Sequence, residues 1–264
     1  MKKVLIFIAL ALLCSACSGG SPPENKTTGA ANKAGNAAAK TGNGSNEPVD
    51  STAAPPQNTA AARIDRQEEI SFEPGQLPEG WRWIDPDDKF NPTAYDTKKG
   101  VLHIDVPTGK DLFGETRTAP QLLKTITGDF EIETQVKFAP TENYQGAGLL
   151  VFRNDSNYLR LERGFGGVGS EKGGIRFDVR EDEAYEPITT PESFPTDAPA
   201  VDLRLRRAGM EFTAFWRLPG GEWKQVGKYS SSYPETVQVG LVACNTAEEI
   251  PVEFANLKLS PSVK

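Results

Sequence analysis

The chain has 264 residues, with 29 Lys+Arg against 36 Asp+Glu, a formal net charge of -7, one histidine and three cysteines. The acidic balance excludes a nucleic-acid surface, which needs clustered excess base, and so few histidines and cysteines leave almost no room for a His/Cys zinc site. The 25 glycines and 20 prolines favour turns over long helices.

Lys2 and Lys3 precede an unbroken apolar run at residues 4–13, which is shorter than the roughly 20 residues that span a bilayer as a helix. This is the form of a signal peptide. It ends Leu13-Cys14-Ser15-Ala16-Cys17, with small residues directly before a cysteine. That ending resembles the lipobox of bacterial lipoproteins, with Cys14 standing where the family more often has leucine. The resemblance implies cleavage before Cys17 and lipidation of Cys17 with a diacylglycerol and an amide-linked acyl chain. Membrane lipid is then the first expected partner, since two or more acyl chains anchor stably where one does not. Ser18 after the cysteine, with no Asp there, points to the outer membrane where there is one, and to a cell-envelope domain outside the cytoplasm. Loss of residues 1–16 removes two lysines and no acid, taking the net charge from -7 to -9. It also removes Cys14, so Cys244 has no partner for an intramolecular disulfide and reads as a small strand residue.

Across residues 18–62 only seven positions lie outside Ser, Gly, Ala, Asn, Pro, Thr and Gln. No core forms from such a composition, and the segment reads as a flexible tether. Every Trp and Tyr, and every Phe except Phe7, lies beyond it. The expected organisation is a signal peptide at 1–16, a lipidated cysteine with a disordered linker at 17–62, and one folded domain at 63–264.

Within that domain the dominant period is two. Trp81 and Trp83 share one face of a first strand. Residues 101–106, 130–138, 158–162, 175–180, 201–206 and 252–259 alternate apolar with polar, as strands with one buried face do. Runs at 147–152, 212–216 and 237–243 are apolar enough to be buried more fully. Turn chemistry separates them at Thr108-Gly109, Asn154-Asp155-Ser156-Asn157, residues 164–174 and Pro219-Gly220-Gly221. No amphipathic helix longer than two turns stands out. The expected fold is all-β, an antiparallel two-sheet sandwich in one domain.

Three stretches carry a more specific resemblance: 119–133, from Ala119-Pro120-Gln121 to Asp129-Phe130-Glu131-Ile132-Glu133; Tyr144-Gln145-Gly146-Ala147-Gly148-Leu149-Leu150; and Asn157-Tyr158-Leu159-Arg160-Leu161-Glu162. Gly209, Phe212, Phe215, Gly221 and Trp223 fit a strand-turn-strand hairpin, and Val239-Gly240-Leu241 a penultimate strand. Together, over about residues 78–260, they resemble the concanavalin A-like jelly-roll domains of bacteria, among them the "regulation of enolase" family and the C-terminal module of bacterial beta-xylosidases. The matching positions are core and turn positions, so the resemblance implies a fold, and carbohydrate only by analogy.

Several residues are candidates for chemistry. Glu131 and Glu133 share a strand face, as the acids of jelly-roll glucanases do, but position 135 is Gln and a solvated sheet face has the same pattern. His103 faces opposite Leu102, Ile104 and Val106, and so outward. Asp85-Pro86-Asp87-Asp88 and Asn154-Asp155-Ser156-Asn157 offer oxygen to calcium, but plain Asx turns explain both. The stretch Gly164-Phe165-Gly166-Gly167-Val168-Gly169 has no helix after it and reads as a mobile loop.

Arginine placement is more informative. The polar faces of three consecutive strands carry Arg160 and Glu162, then Arg176, Asp178 and Arg180, then Arg204 and Arg206. As neighbours in one sheet they form either a ladder of cross-strand ion pairs, each worth about a few tenths of a kcal/mol, or a shallow groove. In the groove, planar donor forks grip sugar hydroxyls or a uronate carboxylate. Tyr158 lies on the same face as an aromatic platform, whereas Trp216 alternates with core positions. The expectation is a surface-tethered, monomeric lipoprotein with a non-catalytic binding module for a glycan and no cofactor or metal. The alternatives are a glycoside hydrolase or lyase using Glu131, Glu133 or Glu162, and a structural or protein-interaction role at the envelope.

Overall fold

The computed structural model describes residues 61–113, 117–167 and 170–262. The signal peptide, Cys17 and all of the linker before Ala61 lie outside the described residues. In chain order the strands are β1 (Glu68–Glu69), β2 (Arg82–Ile84), β3 (Ala94–Lys98), β4 (Val101–Val106), β5 (Gln121–Thr127), β6 (Phe130–Lys137), β7 (Gly146–Asn154) and β8 (Asn157–Phe165). They continue as β9 (Gly173–Glu181), β10 (Ala184–Thr189), β11 (Ala200–Ala208), β12 (Glu211–Arg217), β13 (Lys224–Ser230), β14 (Thr236–Cys244) and β15 (Ile250–Ser260). The described residues hold no helix. One sheet runs β10-β9-β8-β7-β14-β5-β2 and the other β13-β12-β11-β6-β15-β4-β3, with β1 also paired to β15. Each strand pair in the ladders is antiparallel, which makes the domain an all-β jelly-roll sandwich as the alternation implied.

The core lies between the sheets. Leu102, Ile104 and Val106 of β4, Ile132 and Val136 of β6, and Leu203 and Leu205 of β11 meet Leu149, Val151, Leu159, Leu161, Phe177 and Val239 from the other sheet. Trp81 and Trp216 join this core, as expected, although Trp81 precedes β2. The seven-stranded sheet also buries part of its outer face. There Leu112 and Ala119, from the segment after β4, cover Leu123, Leu150, Tyr158, Val242 and Cys244. This second cluster explains β5, which period-two alternation does not mark as a strand: Leu122 faces the main core and Leu123 the small one.

The other strands without a clear sequence signal lie at or next to sheet edges. β10 carries Pro187 at a register shift, where a missing N–H leaves no central ladder bond unmade. β3 and β13 bury few side chains because one of their flanks has no further strand. Ala62, assigned above to the linker, belongs to the fold: its N–H donates to Thr125 O at 3.0 Å and its carbonyl accepts from Thr127 N at 2.8 Å.

Neighbouring backbones approach closely at Gly240, where a Cβ would stand 1.9 Å from Leu122 O, so the centre of β14 admits only glycine. Replacing Phe254, fully buried on the central strand β15, by Ala should lower unfolding free energy by about 3–5 kcal/mol in urea titration. Phe90→Ala, at a ring 89% exposed, should change it by less than about 0.5 kcal/mol.

Candidate binding face

The three arginine-bearing strands are not neighbours in one sheet. β8 and β9 pair in the seven-stranded sheet, whereas β11 lies in the other, between β6 and β12. The predicted single face is therefore two faces on opposite sides of the sandwich, because residues 190–199 carry the chain across from β10 to β11. A second expectation also fails: the outward residues of β8 and β9 are not solvated but buried.

On β8, Leu159 and Leu161 point into the core and Tyr158, Arg160 and Glu162 away from it. On β9, Ile175, Phe177 and Val179 point in and Arg176, Asp178 and Arg180 away. The register sets Arg160 opposite Asp178, Glu162 opposite Arg176 and Tyr158 opposite Arg180. Arg160 Nη2 donates to Asp178 Oδ2 at 2.9 Å, and Arg176 Nε to Glu162 Oε1 at 2.9 Å. Along each strand, Arg160 Nε lies 3.3 Å from Glu162 Oε2 and Arg176 Nε 3.3 Å from Asp178 Oδ2. Two cations and two anions thus close a square, with side-chain exposures of 7% and 4% for the arginines and 0% for both acids. Burial opposes the charge of Arg160, but Asp178 and Glu162 outweigh it and hold its pKa well above the ordinary arginine value. The same contest raises Arg176.

The surroundings fix this square in place. Gly146 on β7 leaves room for the Glu162 carboxylate, since a Cβ there would come within 2.4 Å of it. Arg176 Nη1 donates to Gly166 O at 3.0 Å. Gln145 Oε1 accepts from Thr141 N and Glu142 N, and its amide donates to Asn245 Oδ1 at 3.0 Å, bracing the loop before β7. Lys110 exchanges both backbone bonds with Asn245, which sets Leu112 over the outer face. Tyr158 faces the same way as Arg160, but it is fully buried under Leu112 and its hydroxyl pKa is pushed up to about 12 by burial. Burial also raises the Asp111 carboxyl, with Arg160 and Arg176 acting in the opposite direction.

Not every polar atom on this face is satisfied. Arg180 Nε and Nη1 are closed off from solvent with no hydrogen-bond partner, an exception in a native interior that calls for a water or ligand. Two half-exposed rings border the face. Tyr144, 49% exposed, is held at φ 66° beside the Arg176 end. Phe113, also 49% exposed, lies under the Arg180 guanidinium at 4.9 Å and edge-on to Tyr185 at 5.7 Å. Sequence reasoning missed Tyr144, Phe113, Tyr185 and Asp111 because all four lie outside the alternating runs. A left-handed Tyr between Asn143 and Gln145 leaves no periodic trace.

On the opposite sheet, Arg204 and Arg206 face Glu133 and Glu131 across the ladder. Arg204 Nη2 lies 2.7 Å from Glu133 Oε1, and the Arg204 and Arg217 guanidinium groups lie 4.0 and 4.2 Å from the centre of the Trp223 ring. This is the ion-pair ladder reading, realised here with partly exposed side chains. Burial and the Glu133 charge raise the Glu131 pKa against the pull of Arg204. His103 lies on this sheet's outer face, with Nε2 3.0 Å from Asp105 Oδ1. Asp85, the first candidate calcium ligand, is already engaged by Lys110 Nζ at 2.8 Å and Thr93 N at 2.6 Å. Asn154 Oδ1 accepts from Ser156 N at 3.0 Å, as an Asx turn does. Of the glycine-rich stretch, Gly164 and Phe165 complete β8, while residues 168–169 lie outside the described residues. Cys244 is buried against Arg160 Nη1 at 3.4 Å, and burial raises its thiol pKa far enough to make it inert.

The two faces differ in what a lost acid does. Glu162→Gln leaves Arg176 buried beside a neutral group and should cost about 3–5 kcal/mol. Glu133→Gln on the partly exposed ladder should cost about 1 kcal/mol or less. Paired urea titrations of the two variants measure the contrast.

Residues 89–262 match the family described as "Protein of unknown function (DUF1349)". No curated protein matches the chain in sequence. Among solved structures, it is similar to a functionally unknown protein from Saccharomyces cerevisiae, at TM-score 0.59 and 15% identity over 70% of this chain and 98% of that one. It is also similar to the GH43 BlXynB protein of Bacillus licheniformis, at TM-score 0.57 and 14% identity over 70% of this chain. A third is a xylan beta-1,4-xylosidase of Bacillus halodurans C-125, at TM-score 0.56 and 16% identity over 74% of this chain. The aligned part is 37% of the BlXynB chain and 39% of the xylosidase chain, well under two thirds of either. At such identities the likeness is one of fold, and with two thirds of its residues in the family match the chain belongs to the DUF1349 family.

Proposed function

We propose that the domain is a non-catalytic carbohydrate-binding module, and that it takes its ligand at the outer face of β8 and β9. The observation that carries this reading is a rigid charged floor, in which Arg180 Nε and Nη1 lack a hydrogen-bond partner, set between the half-exposed rings of Tyr144 and Phe113. Sugars are held by such a combination: ring faces stack on aromatic carbons while hydroxyls meet fixed donors and acceptors. Binding is favoured over catalysis by the state of the acids. Glu162 and Asp178 are each held by two guanidinium groups, and Glu131 and Glu133 by Arg204. A carboxylate whose oxygens are committed to guanidinium groups is a poor nucleophile. Likeness in fold to proteins of the xylosidase class, confined to a minor part of their length, agrees with a module that serves a glycan without cleaving it.

The location follows from the N-terminus. Cys17 carries the lipid, and the chain from there to residue 61 tethers the domain outside the cytoplasm, at the outer membrane where there is one. The resemblance to the "regulation of enolase" family concerns the fold and adds no ligand.

Full chain probed with a glycan array and with xylo-oligosaccharides should bind at least one glycan, and Tyr144→Ala and Phe113→Ala should each weaken that binding about tenfold without changing the melting temperature much. A blank array, or rings that can be removed without loss, overturns the reading. For the anchor, labelled palmitate should enter the wild type and not Cys17→Ser, with a mature N-terminus at residue 17.

A further inference from the structure

Arg163 is the one buried arginine of β8 that the charged square does not use. It follows Leu159 and Leu161 on the inward face, opposite Ile175 on β9 and Ala147 on β7, and so sits where the inter-sheet core reaches the rim of the sandwich. It is 3% exposed. Unlike Arg160 and Arg176, it forms no ion pair among the described residues. Its Nη1 donates to Gly164 O at 3.0 Å and makes a long contact of 3.5 Å to Gly174 O, and its Nε is sealed from solvent without an acceptor. A guanidinium stays charged in a protein, so this is a buried cation whose hydrogen-bond partners are backbone carbonyls alone. Burial pulls its pKa down, and the Asp197 charge only partly opposes this.

The side chain lines an open cleft of about 360 Å³, together with Pro140, Phe165, Lys172, Pro195, Thr196 and Asp197. The cleft is built rather than incidental. Thr196 N donates to Gly173 O at 3.2 Å and Ile175 N to Phe194 O at 3.0 Å, which ties the wall to the start of β9. A Cβ at Gly174 would stand 2.3 Å from Pro191 O, so the close approach of that wall depends on glycine. Lys172, exposed at the opening, adds a second cation, and Asp197 is the one acid of the lining. In a chain of net charge -7 this cleft is locally cationic, with apolar walls of Pro140, Phe165 and Pro195.

We infer that this rim cleft is a second ligand site, distinct from the face of β8 and β9, and that it takes a carboxylate borne on a ring with an apolar face, the chemistry of a uronic acid. Arg163 supplies a planar guanidinium for the carboxylate, Lys172 a charge at the mouth, and Phe165 with the prolines the surface for the ring.

The test is calorimetry and thermal melting of the full chain with glucuronate, glucose, acetate and inorganic phosphate. Glucuronate should bind, and at about a hundredfold excess over its Kd should raise the melting temperature by on the order of 5 °C. Glucose and acetate should do neither at the same concentration. Arg163→Lys should weaken glucuronate binding about tenfold or more through loss of the planar guanidinium, and Lys172→Gln, at an exposed position, by severalfold with an unchanged melting temperature. Arg163→Met should abolish binding yet fold at least as stably as the wild type, since it removes a buried charge that has no ion-pair partner among the described residues. The proposal is overturned if glucuronate binds no better than glucose, if phosphate or acetate binds equally well, or if Lys172→Gln and Arg163→Lys bind glucuronate like the wild type. Tyr144→Ala should leave glucuronate binding intact, so failure at this cleft and failure at the glycan face are read separately.

Discussion

Four charges withdrawn from water within one pair of strands are the constraint on which the rest of this domain turns. Removing an ion from solvent costs several kcal/mol even after relaxation, and the cost is offset only when each charge meets its opposite at short range with its remaining donors and acceptors engaged. Arg160, Glu162, Arg176 and Asp178 meet that condition in a single register. A slip of two residues in either direction keeps the inward faces apolar but sets Arg160 opposite Arg176 or opposite Arg180. A slip of one turns the charges into the core. Alternating the sign of charge along each strand therefore specifies the pairing of β8 and β9 more sharply than their apolar faces do. The ladder between β6 and β11 lacks this property. Glu131 and Glu133 share one strand and Arg204 and Arg206 the other, so a slip of two still sets an acid opposite a base, and that register must come from packing.

Neighbouring strands make the square possible. Gly146 yields its side-chain volume to the Glu162 carboxylate, and Gly240 lets the backbones of β14 and β5 close up. Leu112 and Ala119 then cover part of the outer face, while Asn245 ties together the ends of β4, β7 and β14 through its amide. The seven-stranded sheet is thus buried on both faces over much of its width, and the binding face is the part of the outer surface where the covering segment gives way to charge and to exposed rings.

Most strands were legible from their period because one face of each is apolar, as in the runs at Leu102, Ile132, Leu161, Leu203 and Phe254. β5 was not, since its adjacent leucines serve two different cores, and neither were the edge strands β3, β10 and β13, which bury too few side chains to show a period. The site was legible only in composition. Which residues of β8 and β9 point away from the core follows from alternation, but which strands lie side by side is decided by long-range contacts, and the passage of the chain between sheets after β10 separates Arg204 and Arg206 from the others. Exposure was misjudged for a related reason. A polar face on a strand usually means water, and the segment that excludes water here is remote in sequence and irregular in structure.

Arg160 and Arg163 stand three residues apart on the same strand, and both are buried, yet they serve different ends. Arg160 is compensated: it has two carboxylates within ion-pair distance, and any ligand would have to compete with bonds already made. Arg163 has only carbonyls within hydrogen-bond distance and no carboxylate within ion-pair distance among the described residues, so an arriving anion would meet an unpaired cation and would relieve a burial penalty already incurred in folding. Burial alone does not separate a structural guanidinium from a binding one. The discriminating quantity is whether the folded chain has already supplied the counter-charge, and on β8 it has done so on one face and not on the other.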